Sequence, residues 1–428
     1  MPSEWRSLPL EVCMAAIIDY RGKSPSKTTS GIPLVTAKII KSGRIEQPDE
    51  FIAEGDFDVW MQRGLPQRGD VVMTTEAPLG EVGQLDGTKV ALAQRVITLR
   101  GKAELLDNTF LKYLLQSEPV QADLRARATG TTVLGIRQSE LRRVTLTLPP
   151  LPEQKAIARI LGGLDDKIEL NRKMNSTLAE MARVLFRSWF IEFDPVHAKA
   201  AGHKPSGMSE GTAALFPASF EKSKLGNVPA GWKVGSILQQ ADLLSGGTPK
   251  TSIAEYWDGD ILWASAKDVS QCDEQLLITT ERRITKRGLE GSSTKMIPAF
   301  ATVVVARGAT TGRLVMLGEK MAMNQTCYGL CSKIGSPFSL YCQAQDFIQR
   351  MVHAAHGSVF DTITTRTFET TDVLLPPHDV LGSFDRAVTP LFEGIRNNLY
   401  QSRTLTSMRD ALLPGLLSGE IPVSAVQD

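Results

Sequence analysis

The stretch LPPLPEQKAIARILGGLDDKIELNRKM (residues 148–174) changes character at its proline pair. Before Pro149 the chain is rich in Thr, Leu and Val. After Pro150, seam positions recur in alternating steps of four and three, at Ile157, Leu161, Leu164, Ile168, Asn171, Asn175, Leu178, Ala182, Leu185 and Trp189. That is the heptad spacing of a coiled coil. A second stretch, LPPHDVLGSFDRAVTPLFEGIRNNLYQ (residues 375–401), repeats the transition at an offset of 227, from Pro149 to Pro376. The same offset carries the seam to Phe384, Val388, Leu391, Ile395, Asn398, Ser402, Leu405, Arg409, Leu412 and Leu416. A polar step in an apolar seam costs stability but fixes register, because slipped pairing leaves the amide unsatisfied. Asn171 and Asn398 are expected to act in this way. Pro414 and Gly415 predict that the second helix ends or kinks near Leu413.

The repeat extends upstream. GTTVLGIRQSELRRVTLTLPP (130–150) matches GSVFDTITTRTFETTDVLLPP (357–377) without a gap. GIPLVTAK (31–38) lines up with DILWASAK (260–267), and DVVMTTEAPLGEV (70–82) with TVVVARGATTGRL (302–314). Gln94 in ALAQRV pairs with Gln325 in AMNQTC, and YRGKSPSKT (20–28) parallels SGGTPKTS (245–252). Short β-branched runs bounded by Gly and Pro predict strands. The expected architecture is therefore α+β: two similar mixed globular domains, 1–150 and 231–377, the first followed by a long helix, 151–193, and the second by a long helix and tail, 378–428. Residues 194–230, rich in Gly, Pro, Ala and Ser, read as a linker. The two helices are expected to pair as an antiparallel coiled coil related by a pseudo-two-fold axis. A seam of about 33 residues would measure roughly 50 Å.

A chain of 428 residues with formal charge +1 is long enough for two or three cores and lacks a strongly basic footprint. No run of about 18 apolar residues predicts a membrane span, and the N-terminal residues lack a signal-peptide core, so a cytoplasmic location is expected. The five cysteines, Cys13, Cys272, Cys327, Cys331 and Cys342, are odd in number and scattered. Cys327, Cys331, Cys342 and His353 could be drawn as metal ligands, but they fit no zinc spacing, and free buried thiols with no metal are expected.

Catalytic signatures are missing. No phosphate loop, dinucleotide fingerprint, zinc-protease helix or serine elbow is present. His353 and His356 have no evident third ligand. Asp165 and Asp166 diverge by about 100° on a helix, which predicts a solvated face rather than a carboxylate pair. What remains is binding: the loops DYRGKSPSKT, LSGGTPKTS, ARGATTGR, RARATGTTVLGIR and HGSVFDTITTR carry basic, hydroxyl and glycine residues. Arg and Lys read guanine or contact phosphate, Ser and Thr bond to either, and glycines let backbone N–H groups approach closely.

Residues 148–196, LPPLPEQKAIARILGGLDDKIELNRKMNSTLAEMARVLFRSWFIEFDPV, resemble the central conserved region of the specificity subunit of type I restriction-modification enzymes. LFPASFEKSKLGNVPAGWKV (215–234) resembles the approach to that family's second target recognition domain, and TLTSMRDALLPGLLSGEIPV (404–423) its C-terminal conserved segment. The resemblance implies a non-catalytic subunit that recognises a bipartite sequence in double-stranded DNA, one half per target recognition domain. It implies that the paired helices set the spacing and dock two methyltransferase subunits, with restriction subunits joining them. No cofactor is expected on this chain; S-adenosylmethionine would belong to the methyltransferase, ATP and Mg to the restriction subunit. In the second copy HDV replaces PEQ after the prolines, so two docking sites built there would differ. The repeat nominates DNA contacts at Tyr20, Arg21, Lys23, Lys27, Lys38, Thr74, Thr75, Arg127 and Thr131 in the first domain. In the second it nominates Ser245, Thr248, Lys250, Lys267, Arg307, Thr310, Thr311, Arg313 and Ser358. The competing readings are a coiled-coil adaptor without sequence readout and a standalone DNA-modifying enzyme.

Overall fold

A computed structural model describes residues 4–22, 24–354 and 362–427. Lys23, His356, Gly357 and Ser358 lie outside these residues. The chain divides into two compact units, one of Met1–Ile168 with Thr404–Asp428, the other of Glu169–Arg403.

The first unit contains strands β1 (Arg6–Pro9), β2 (Met14–Asp19), β3 (Ile32–Val35), β4 (Phe51–Ile52), β5 (Val71–Thr75), β6 (Leu79–Gln84), β7 (Ala91–Leu92), β8 (Val96–Gly101) and β9 (Thr145–Leu148). Helices α1 (Asn108–Gln116) and α2 (Glu118–Arg127) precede the long α3 (Leu151–Phe190). The main sheet runs β2-β8-β5-β6, and β1 pairs with β9 so that the domain's ends meet, Leu8 opposite Leu146. Strand alternation sorts the core: Val71 and Met73 pack with Phe110 and Leu114 of α1, whereas Val72 faces the small sheet β4-β3-β7 with Leu34 and Ile52. Ile157 and Leu161 of α3 join the α1 side, as do Leu416 and Leu417 from the end of the chain.

The second unit repeats this plan. Its strands are β10 (Lys233–Ser236), β11 (Ala241–Ser245), β12 (Trp257–Ala264), β13 (Leu276–Leu277), β14 (Arg282–Ile284), β15 (Thr302–Val305), β16 (Leu314–Leu317), β17 (Ala322–Met323), β18 (Cys327–Ser332) and β19 (Asp372–Leu375). Helix α4 (Pro337–Ala354) lies between β18 and β19, and α5 (His378–Ser418) follows. The main sheet runs β11-β18-β15-β16-β13, the small one β14-β12-β17, and β10 closes on β19 with Gly235 opposite Val373. Matched hydrogen bonds give the register of the repeat: Thr75 N–H to Arg95 O (3.0 Å) corresponds to Ala306 N–H to Thr326 O (2.8 Å). The strand β5 therefore matches β15 at an offset of 231, one residue away from the sequence alignment, and Arg307 corresponds to Glu76. The extra residue lies in the β15–β16 turn, because Val82 still matches Leu314 across the hairpin.

Within the second unit α3 and α5 pair antiparallel. Phe186 meets Phe384 with ring centroids 5.8 Å apart, Gly394 faces Leu178, and Asn398 donates its amide to Asn175 Oδ1 at 3.0 Å. Asn171 donates to Gln401 Oε1 at 2.9 Å and to Ser402 Oγ at 3.2 Å. Asn171 and Asn175 are buried, as are Ala182, Trp189, Phe384, Val388 and Ile395, while Leu178, Leu185, Leu391 and Asn398 are half-buried, as is Ile168 at the edge of the first unit. In the first unit Ile157 and Leu161 are buried, and Leu164, Leu405 and Leu412 half-buried.

Several sequence expectations are corrected. The second helix continues through Pro414 to Ser418, because Leu416 and Leu417 are held in the first unit's core. It stops where Gly419 turns left-handed and Ile421 N–H bonds to Gly415 O. Asp165 is not on a solvated face: it accepts Lys112 Nζ and Tyr113 Oη at 2.6 Å and Arg409 at 2.8 Å. Gln154 of the PEQ segment is buried, bonding Asp107 N–H, Leu105 O and Pro149 O; it fastens α3 to its own domain rather than facing a partner. Residues 194–230 are folded: helices Asp194–Ala200 and Glu210–Ala214 and a hairpin of Phe220–Ser223 with Gly226–Pro229 occupy them. Phe216 packs there edge-on to Trp189, in a cluster with Phe190, Trp232 and Phe384. Composition misled because a few aromatic residues supply enough burial to order a Gly- and Pro-rich segment.

The Asp165 cluster ties α1, α3 and α5 together. Burial pushes its carboxyl up, but Lys112, with Tyr113 and Arg409, outweighs that and holds it below the usual carboxylate range. Its stabilisation is present above the unfolded pKa of about 3.9 and is lost as pH falls through the lower folded value. Asp165→Ala is expected to cost about 3–5 kcal/mol by stranding buried donors. Arg409→Ala, which leaves Lys112 on the carboxylate, should cost less. Urea unfolding at pH 7 compares the two, and the difference between wild type and Asp165→Ala should shrink on acidification below about pH 3.

Candidate nucleic-acid interface

In each unit the loops at one end of the sheets are bound to one another by backbone hydrogen bonds. In the first, Ala93 N–H reaches Val35 O (3.0 Å), Thr75 N–H reaches Arg95 O (3.0 Å), and Ile136 N–H reaches Thr75 O (3.0 Å). In the second, Asn324 N–H reaches Ala264 O (2.9 Å), Ala306 N–H reaches Thr326 O (2.8 Å), and Ile363 N–H reaches Ala306 O (2.9 Å). The same three bonds therefore gather equivalent loops in both units, and the side chains these loops carry are free to differ.

Most first-unit nominees are committed internally. Tyr20 is buried; its hydroxyl donates to Gly64 O (2.8 Å) and accepts from Arg63 N–H (3.0 Å). Thr74 and Thr75 are buried within β5, Thr74 accepting from Glu81 N–H and Thr75 donating to Arg95 O. These three are corrected from DNA contacts to parts of the scaffold: the strand β5 is buried throughout, and the Tyr20 hydroxyl is spent on the Arg63–Gly64 backbone. Arg21 is held by Asp19 (2.8 Å) and Ile136 O, and Arg127 by Asp123 (2.7 Å). Lys27 pairs with Glu50 (2.9 Å), and Lys38 with Asp49 (3.0 Å) and Glu50 (3.2 Å). Thr131 is exposed, in a turn closed by Thr129 and Gly135.

The second unit presents more. Ser245, Lys250, Arg307, Thr310 and Arg313 are exposed, and Arg307 and Arg313 have no acidic partner among the described residues. Thr248 bonds to the Gln325 side chain, Thr310 accepts from Ser270 (2.6 Å), Thr311 donates to Gly308 O (2.7 Å), and Lys267 pairs with Glu281 (2.6 Å). Gly246 and Gly247 serve the fold, not a ligand: a Cβ on Gly246 would lie 1.9 Å from Asn324 O, and Gly247 N–H is spent on Met323 O. The charge reversal from Glu76, paired with Arg95 at 2.9 Å, to Arg307 occurs at one bridged position, opposite Gly135 and Thr362 respectively.

Sequence reasoning did not nominate Gln94, Gln325 or Arg95, although Gln recurs at one position of both repeats beside the exposed loops. It also passed over Arg282, whose guanidinium lies 3.4 Å over the Trp257 ring. Burial pushes the Cys272 thiol up to about 11 and Cys327 up to about 12, so neither is a ready nucleophile at neutral pH. Among the described residues no His, Cys, Asp or Glu cluster could hold a metal, and no helix is long and apolar enough to cross a membrane.

The family model of the type I restriction modification DNA specificity domain matches residues 20–180 and again 229–380. The chain is 26% identical over 403 residues to the type I restriction enzyme HindI specificity subunit of Haemophilus influenzae, covering 83% of this chain and 87% of that one. It is 25% identical over 368 residues to the MjaIX specificity subunit of Methanocaldococcus jannaschii, covering 83% and 78%. In fold it is similar to the S subunit of a type I restriction-modification system from M. genitalium, with a TM-score of 0.58 at 14% identity over 96% of both chains.

Tyr20→Phe should cost about 1–3 kcal/mol, since Arg63 N–H loses its buried acceptor. It should leave sequence preference in DNA binding unchanged, as compared by thermal unfolding and competition with non-cognate duplex.

Proposed function

Because the chain belongs to the family of type I restriction-modification DNA specificity subunits, we propose that each matched domain reads one half of a bipartite DNA target. The observation that carries this reading is the duplicated loop scaffold, held by the same three backbone bonds and dressed with different side chains. Such an arrangement recognises two different half-sites with one architecture, since base-edge specificity resides in side chains and not in the frame beneath them. Arg307, exposed at the position where the first unit has Glu76, is the leading base-reading side chain. The α3–α5 pair sets the spacing between half-sites.

Methylation and cleavage belong to partner subunits in this reading. S-adenosylmethionine is carried by the methyltransferase, and ATP and Mg by the restriction subunit. Helix α3 offers the methyltransferase a surface apart from its seam: Leu170, Met174, Met181 and Val184 are each 42–54% exposed. They follow heptad spacing, as a docked helix requires. Buried seam residues are unavailable for such docking.

Two experiments test this. Arg307→Ala, assayed by sequencing DNA methylated in cells that contain the methyltransferase, should broaden the motif in one half-site and leave the other intact; an unchanged motif refutes base reading by Arg307. Met181→Glu with Val184→Glu should weaken methyltransferase association at least tenfold in pull-down titration while the thermal midpoint stays near wild type.

A further inference from the structure

The small sheets of the two units carry opposite charge at equivalent positions. Ile32 pairs with Ile52 on β3 and β4, as Ile261 pairs with Ile284 on β12 and β14. Stepping back along the edge strands matches Phe51 with Arg283, Glu50 with Arg282, and Asp49 with Glu281. The ion pair at the last position is kept, Lys38 with Asp49 in one unit and Lys267 with Glu281 in the other. Beyond it the charges invert. Residues 49–59 contain Asp49, Glu50, Glu54, Asp56 and Asp58 and no basic residue; residues 281–291 contain Arg282, Arg283, Lys286 and Arg287 against Glu281 and Glu290.

The inversion alters one contact. Lys27, just before Thr28, is neutralised by Glu50. Its counterpart Lys250, just before Thr251, finds Arg282 where Glu50 would be. Trp257 joins the two: its indole N–H bonds to Lys250 O (3.3 Å), and its ring lies under the Arg282 guanidinium. Lys250 and Arg282 are both exposed, and neither has an acidic partner among the described residues. The nearby acid, Glu281, is taken by Lys267. Trp257 thus holds the Arg282 guanidinium on its ring and the Lys250 backbone on its indole N–H, and an anion bound there would meet two cations that no acid neutralises. Half-buried Thr248 precedes Lys250 on the same loop, which Trp263 Nε1 ties down at Gly247 O at 3.0 Å.

We propose that Lys250 and Arg282, set on Trp257, form a clamp for the DNA phosphate backbone beside the second half-site, and that Glu50 abolishes its counterpart at the first. The clamp rests on the DNA-recognition reading but adds to it a phosphate contact, one-sided and independent of base sequence. Arg suits this position because its planar group stacks on indole while its N–H edge remains available to phosphate.

The test uses the full chain bound to its methyltransferase and a labelled duplex bearing the methylated motif, with the dissociation constant followed against NaCl concentration. Each phosphate neutralised contributes about 0.9 to the slope of log K against log salt. Lys250→Gln with Arg282→Gln should make that slope shallower by about 1.8 and weaken binding at low salt, with the motif unchanged. Lys27→Gln should leave the slope as it is, and Glu50→Gln should steepen it by releasing Lys27. Should Arg282→Gln fail to fold, Lys250→Gln alone should still remove about 0.9, and Arg282→Lys should retain the wild-type slope. An unaltered slope in folded Lys250→Gln overturns the clamp. A complex that binds without preference for any motif, yet still loses slope in these variants, overturns sequence recognition and leaves the clamp standing.

Discussion

In the second unit Asn398 gives its amide to Asn175 within a seam whose buried apolar members include Ala182, Trp189, Phe384, Val388 and Ile395. An apolar seam alone tolerates sliding, because one Leu packs nearly as well as another. A buried amide does not, since each slipped register strands a donor and an acceptor. The first unit settles the same question with charge: Asp165 of α3 meets Arg409 of α5, with Lys112 and Tyr113 filling the remaining valences. The offset of 227 carries Asp165 to Phe392 and takes Arg409 back to Ala182, both buried in the second unit's core. The two ends of one repeated seam are thus specified by different chemistry, ionic in one unit and aromatic in the other. The α3–α5 pairing is complementary rather than self-complementary, as two helices of one chain require when each has a near-copy.

This arrangement makes each unit depend on residues remote in sequence. Leu416 and Leu417 lie in a core with Leu10 and Leu146, so the first domain is completed only after the last helix is made. The second unit draws Trp189 and Phe190 from the helix that follows the first domain. Asp385 on α5 accepts the N–H groups of Phe338 and Ser339 at the start of α4; burial pushes its carboxyl up to about 6 despite those bonds. The recognition domains and the helices are therefore packed as common cores, and α3 and α5 help to hold the scaffolds from which the loops project.

Much was legible in the sequence because periodicity and repetition report backbone geometry directly. Alternating steps of three and four identified the seam from Ile157 to Trp189 and from Phe384 to Leu416. The proline pairs marked the helix starts, where Pro150 O and Pro377 O accept the first helical bonds. The shared offset implied two domains of one plan, and the family resemblance followed from the same segments. The candidate contacts were read less well. Matched loops do not reveal whether a side chain faces outward, so buried Tyr20, Thr74 and Thr75 looked no different from exposed Thr131 and Arg307. Paired lysines such as Lys27 and Lys38 resemble unpaired ones until the opposing strand is placed.

What the sequence determined by itself was the order of elements, the duplication and the seam, since each follows from spacing along one chain. Tertiary structure alone decided which charges are spent. Glu50 meets Lys27, Glu281 meets Lys267 and Arg282 meets Trp257 only because segments remote from one another along the chain are brought side by side. It also decided that Pro414 does not end its helix, because Leu416 and Leu417 gain more from the first unit's core than the helix loses at one missing N–H. Local pattern sets what a segment prefers, whereas burial against remote partners sets which preference prevails.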